Sequence, residues 1–107
     1  MEIELIKTKD RVQRILSLME YSRDDDNILI HYMWIEDLIN KGLDYKYITA
    51  YRFFEMLAHG ELTSPESIRR VRQKLQEQNE DLRGYKYKKR MDNQERIKQQ
   101  LKEIGSL

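Results

Sequence analysis

Along residues 8–21 the apolar positions Val12, Ile15, Leu16 and Met19 recur at spacings of three and four. That period places them on one face of an α-helix, with Thr8 or Asp10 near its start. After a polar turn at Ser22-Arg23-Asp24-Asp25-Asp26, a second helix is expected over about residues 26–41. Its residues Ile28, Leu29, Tyr32, Met33, Ile35, Leu38 and Ile39 make a band too wide for one neighbour, which predicts a central helix packed on two sides. Trp34 lies near the edge of the band, and Gly42 is the expected terminator. Residues 43–47 lead to a third helix, from 48 or 49 to 58, with Ala50, Phe53, Phe54 and Leu57 expected inward and Gly60 as its stop.

Thr63-Ser64-Pro65-Glu66 opens the fourth helix with a capping hydroxyl, a proline in the first turn and an acid beside the helix dipole. Ile68, Val71 and Leu75 form its inner stripe, which Leu82 continues if the helix runs that far, and Asn79 and Gly84 mark endings. Over residues 86–104, Tyr87, Met91, Ile97, Leu101 and Ile104 form a narrow seam that Gln94 interrupts. Such a seam suits docking on the domain or pairing with a second copy, which makes a homodimer through this last helix an expectation. No internal repeat stands out. The pattern predicts an all-α fold of four to five helices with a helix-turn-helix-like pair and a C-terminal helix: a compact helical domain over residues 1–84 and a basic helical extension over 85–107.

Composition agrees with this. Among 107 residues there are four glycines, one proline and no cysteine, while charged residues make up 36%. Without cysteine there is no thiol nucleophile, thiolate metal site or disulfide, a composition that suits a reducing cytoplasm. No apolar run approaches the roughly 20 residues that span a bilayer, so no membrane is expected. The acidic start Met1-Glu2-Ile3-Glu4 does not read as a secretory signal. The net charge of +1 conceals an asymmetry: residues 1–60 hold 8 Lys and Arg against 11 Asp and Glu, residues 61–107 hold 12 against 8. A polyanion is therefore expected to meet the second part.

Residues 49–78 have the layout of a helix-turn-helix, with Leu62 expected in the angle between the helices. Opposite the stripe of the fourth helix stand Ser67, Arg69, Arg70, Arg72, Gln73 and Lys74. Arginine meets guanine edges or phosphates bidentately, and glutamine pairs with adenine. Ser64 and Ser67, with the N–H groups of the helix start, suit a phosphate, and Lys86, Lys88, Lys89 and Arg90 suit a backbone grip. The expected partner is duplex DNA, and the alternative is a protein-binding surface.

Neither His31 nor His59 has a partner at metal-ligand spacing, and the triple aspartate reads as helix capping, so neither metal nor cofactor is expected. There is no phosphate loop, nucleophile elbow or His-Glu-x-x-His, and no enzyme is expected.

The stretch Ser64-Pro65-Glu66-Ser67-Ile68-Arg69-Arg70-Val71-Arg72-Gln73-Lys74-Leu75-Gln76-Glu77, continuing to Asn79, Leu82, Arg83 and Gly84, resembles a set of small proteins from phages and prophages of Gram-positive bacteria. Asp10-Arg11-Val12-Gln13-Arg14-Ile15-Leu16 and Ser22-Arg23-Asp24-Asp25 are similar to the start of those proteins. The resemblance implies a phage origin and a compact helical fold. It also implies one of two roles: a DNA-binding regulator or replication accessory, or an inhibitor or adaptor of a host protein or nucleoprotein complex in the manner of anti-CRISPR proteins, presenting Asp24, Asp25, Asp26, Glu36 and Asp37 in place of nucleic acid. It supplies no catalytic residue.

Overall fold

A computed structural model gives the fold; it describes residues 2–105, with side chains from residue 7 onward. Met1 and the side chains of Glu2, Ile3 and Glu4, on which the reading of the amino terminus rests, lie outside the described residues. Five α-helices are present: α1 (Glu2–Leu18), α2 (Asp26–Asn40), α3 (Ala50–Ala58), α4 (Pro65–Gln78) and α5 (Tyr85–Gly105). Single 3-10 turns, Glu20–Arg23 and Glu80–Leu82, follow α1 and α4. The described residues form no strand, so the all-α expectation holds.

The helix ends follow their capping chemistry. Asp25 opens α2 by accepting from the Asn27 N–H at 2.9 Å, and Thr49 opens α3 by accepting from Arg52 N–H at 3.2 Å. Gly42 and Gly60 close α2 and α3 at φ +75° and +69°. In each case the residue after the glycine bonds back across the last turn, Leu43 to the Leu38 carbonyl and Glu61 to Met56. That pairing is a Schellman motif, and its left-handed position is why glycine stands there.

Two apolar clusters divide α2 between them. Leu29 and Met33 join Val12, Ile15 and Leu16 of α1, Ile68 and Leu75 of α4, and Leu82 in the main core. The far end of α2 supplies Leu38 and Trp34 to a smaller cluster with Met56, Phe53 and Leu62. The central helix packed on two sides is therefore observed.

Several expectations are corrected. α1 begins six residues before the expected start and stops at Leu18, not 21, because Arg23 turns back and bonds the carbonyls of Leu16 and Ser17. Phe54 is 63% exposed and Leu57 39%, and Ala50 is exposed too, whereas Met56 is fully buried. A nine-residue helix with one neighbour covers a single stripe, and α3 turns Phe53 and Met56 to α2. Leu82 does reach the core, but on the separate 3-10 turn, since α4 ends at Gln78. Finally, α3 and α4 follow one another through a short connection yet belong to different clusters, so they share no core as a helix-turn-helix pair does. Leu62 packs with Leu38 and Met56 rather than between α3 and α4.

A buried polar network sets where α4 starts. Asp37, on α2 and 9% exposed, accepts from the Thr63 N–H at 2.7 Å and the Thr63 hydroxyl at 2.8 Å. Arg11 of α1 lies 2.8 Å from the same carboxylate and donates to the Met33 carbonyl and to Glu36. Trp34 Nε1 donates to the Thr63 carbonyl at 2.8 Å. Three separate stretches of chain are thus tied at one carboxylate. Removing one member of such a group leaves the other charge buried and unpaired. Asp37→Ala is expected to lower stability by about 3 kcal/mol, read as a fall in the urea midpoint at unchanged slope; a loss under about 1 kcal/mol would assign the network no structural weight.

Candidate nucleic-acid interface

On α4 the inward stripe fixes the azimuth of every charge. With Ile68 and Leu75 buried, positions 66, 70, 73 and 77 form the outward line. These are Glu66, Arg70, Gln73 and Glu77, so two carboxylates share the face expected to read bases. Arg70 is 76% exposed on its side chain and paired with Glu66 at 2.7 Å. Gln73 and Lys74 are exposed, but Lys74 lines a groove against α1 with Lys9. Ser64 stands at the N-cap without a side-chain cap bond, and Ser67 is half-buried.

Arg69 and Arg72 turn the other way, toward α2. Asp26, in the first turn of α2, lies 2.6 Å from Arg72 Nε and 3.4 Å from Arg69 Nε. Arg72 also donates to Gln76 Oε1 at 3.0 Å, and only 14% of its side chain is exposed. Arg72 thus braces α4 against α2.

The expected acidic surface is likewise committed within the fold. Asp24 accepts from the backbone N–H groups of Tyr85 and Lys86 at 3.1 and 2.9 Å, capping α5 from sixty residues away. Asp25 caps α2, Asp26 holds Arg69 and Arg72, Glu36 pairs with Arg11 and Arg14, and Asp37 is buried. The capping reading of the triple aspartate is met by Asp25 and Asp24. Among the described residues no group of acids or histidines has the arrangement of a metal site.

Two turns direct α5. Arg83 donates to the Gln76 and Glu77 carbonyls as Arg23 donates to those of Leu16 and Ser17, at the same spacing of seven and six residues. This arginine-closed helix end therefore occurs twice, although Glu20-Tyr21-Ser22-Arg23 and Glu80-Asp81-Leu82-Arg83 share only their first and last residues. That sparse match is the signal a sequence comparison offered. Gln76, fully buried, bridges the two turns by donating to the carbonyls of Arg23 and Leu82. Sequence reasoning gave no structural role to Arg23 or Gln76, and it took Gly84 only as an ending.

α5 itself contributes no buried residue, and its seam of Met91, Ile97, Leu101 and Ile104 is exposed. With α5 projecting, the molecule extends 64 Å in one direction and 28 and 24 Å in the others. Lys86 and Arg90, one turn apart, face a cleft of about 280 Å³ that Arg72, Gln76, Asp24 and Asp26 also line. Lys88 points to grooves on the other side of the helix, beside Asp25 and Asp92. Arg83 and Arg90 both stack on the Tyr87 ring, 4.8 and 5.4 Å from its centroid. The structure thus brings Arg72, Lys86 and Arg90 to one place and leaves Arg70, Lys74 and Lys88 elsewhere.

Asp24 is fitted against Gly84. A Cβ on Gly84 would stand 2.2 Å from Asp24 Oδ1 and 2.5 Å from its Cγ. The carboxylate is pinned by two N–H groups, so making room for a methyl group uncaps α5. Gly84→Ala and Asp24→Ala are each expected to lower helical ellipticity and cost about 1 kcal/mol. The double variant is expected to cost little more than either, since both remove one cap; full additivity in a double-mutant cycle would separate the two residues. The chain matches no protein-family model, and neither curated proteins nor solved structures provide a match.

Proposed function

We propose that this chain is a non-enzymatic DNA-binding protein that grips the duplex backbone with α4 and the first turns of α5. The observation that carries the reading is the sorting of cations by partner. Arg11, Arg14, Arg69 and Arg72 each pair with a carboxylate, whereas Lys86, Lys88, Lys89 and Arg90 form no ion pair among the described residues. Those four lie at the base of a helix that nothing covers, and α5 as a whole carries seven Lys and Arg against three Asp and Glu. A helix of that charge projecting from a body is shaped to lie along phosphates, where counterion release drives association.

The mixed face of α4 favours positioning over base reading: Glu66 and Glu77 would meet phosphates on either side of any Gln73 contact. Arg70 and Gln73 add polar contacts, and Lys88 and Lys89 add backbone charge. The similarity of residues 64–84 to small phage proteins fits a regulator or replication accessory acting in a bacterial cell. No helix of the described residues is long and apolar enough to cross a membrane.

Fluorescence anisotropy with labelled random duplex tests the reading. Binding through three or four phosphates predicts that log K falls with log salt at a slope of about −3. Lys88→Gln with Lys89→Gln is expected to reduce that slope by about 1–2; absence of binding at 50 mM salt, at roughly 100 μM protein, would end the proposal.

One observation favours a protein partner instead. Tyr47, Tyr51 and Phe54 are exposed along α3 and the turn before it, an aromatic surface of the kind that anchors protein interfaces. On that reading the protein is an inhibitor or adaptor of a host complex. Nuclease-treated lysate would then yield one partner to the native chain and none to a Tyr51→Ser, Phe54→Ser variant; equal capture by both would dismiss α3 as the contact surface.

A further inference from the structure

The cleft between α4 and α5 has a specific imbalance of donors and acceptors. Of its two carboxylates, Asp24 is engaged by the N–H groups of Tyr85 and Lys86, and Asp26 by Arg69 and Arg72. Gln76 uses its amide group on two carbonyls, while its oxygen receives Arg72. The acceptors of the cleft are therefore taken. Donors are not: Lys86 and Arg90 have no acidic partner, and each offers several N–H groups toward the same space. Arg72 Nε is buried, and its N–H meets no hydrogen-bond acceptor, although Asp26 Oδ1 is 2.6 Å away out of line.

A space lined by spare donors, whose acceptor groups are each already engaged, suits a group that only accepts and carries negative charge. Tetrahedral phosphate is such a group. Stacking on Tyr87 holds the Arg90 guanidinium, and a guanidinium held in place suits bidentate contact with two phosphate oxygens. Lys86 stands one helical turn back on the same face and supplies a second charge. The α5 N-terminus is not the source of attraction, since Asp24 already occupies its N–H groups.

The geometry points to a discrete phosphate-binding pocket formed by Lys86 and Arg90, with Arg72 at its floor, between α4 and α5. This inference rests on the backbone-binding reading and deepens it: a single phosphate seated there sets how α5 lies along a strand. A backbone phosphate and a phosphate on a small molecule share the chemistry.

Inorganic phosphate is the direct probe, titrated into the full-length protein while the Arg72 and Arg90 Nε–H resonances are followed. Saturable shifts at both are expected in the native chain and in Arg96→Gln, Lys98→Gln, which removes two α5 cations that do not line the cleft. The Arg72 shift is expected to vanish in Lys86→Gln, Arg90→Gln, where Arg72 is the remaining reporter. Shifts that fail to saturate, or that persist in the latter variant, overturn the pocket. DNA binding gives the second arm, in which Lys86→Gln, Arg90→Gln is expected to weaken affinity at least about tenfold more than Arg96→Gln, Lys98→Gln. Equal weakening by the two pairs rejects the pocket while DNA binding stands. Saturable phosphate shifts without DNA binding keep the pocket, assign it to a phosphorylated small molecule and reject the DNA reading.

Discussion

A carboxylate withdrawn from water organises this fold. Asp37 is almost wholly buried, and a buried charge persists only when its oxygens are engaged. Thr63 supplies a backbone N–H and a hydroxyl, and Arg11 supplies the opposite charge. The requirement joins α1, the end of α2 and the segment before α4. Pro65 then begins α4 two residues beyond a fixed point, so the entry of that helix is set by polar contacts before its apolar stripe meets α1.

From that anchor the remaining geometry follows through backbone carbonyls. α4 runs against α1, which brings Gln76 to the point where the turns after α1 and α4 approach each other. Arg23 and Arg83 close their helices by donating to the last free carbonyls, a task more often given to a glycine cap. With the first turn fixed, Asp24 reaches across to start α5, and Gly84 leaves the room that Asp24 needs. α5 is thereby aimed by a few polar contacts at its first turn, and it contributes no buried residue to the core.

The same contacts divide the charges by role. Carboxylates that look like an acidic face in sequence are caps and ion-pair partners in the fold, and three of the four cations of α4 are ion-paired. Four cations without an ion pair among the described residues, Lys86, Lys88, Lys89 and Arg90, cluster at the α5 base. The net charge of +1 gives no hint of this, because it sums both signs over the whole chain and hides the local balance. Electrostatic attraction to a polyanion depends on that local balance within about a Debye length.

Local signals in the chain determined much of the secondary structure. The three-and-four spacing of Val12, Ile15 and Leu16 and of Ile68, Val71 and Leu75, the capping by the aspartates before α2, and the stops at Gly42 and Gly60 are all nearest-neighbour physics, and each appears where expected. The basic character of the last helix was equally legible. Which side of α3 faces inward was not: Phe53, Phe54, Met56 and Leu57 are apolar all round, and only the position of α2 chooses among them. The roles of Arg72, Asp24 and Gln76 also lay beyond sequence, since their partners stand 46, 61 and 53 residues away. A charge read along a chain has a sign and a helical face. Whether it is free to meet a ligand depends on partners that only folding brings within reach.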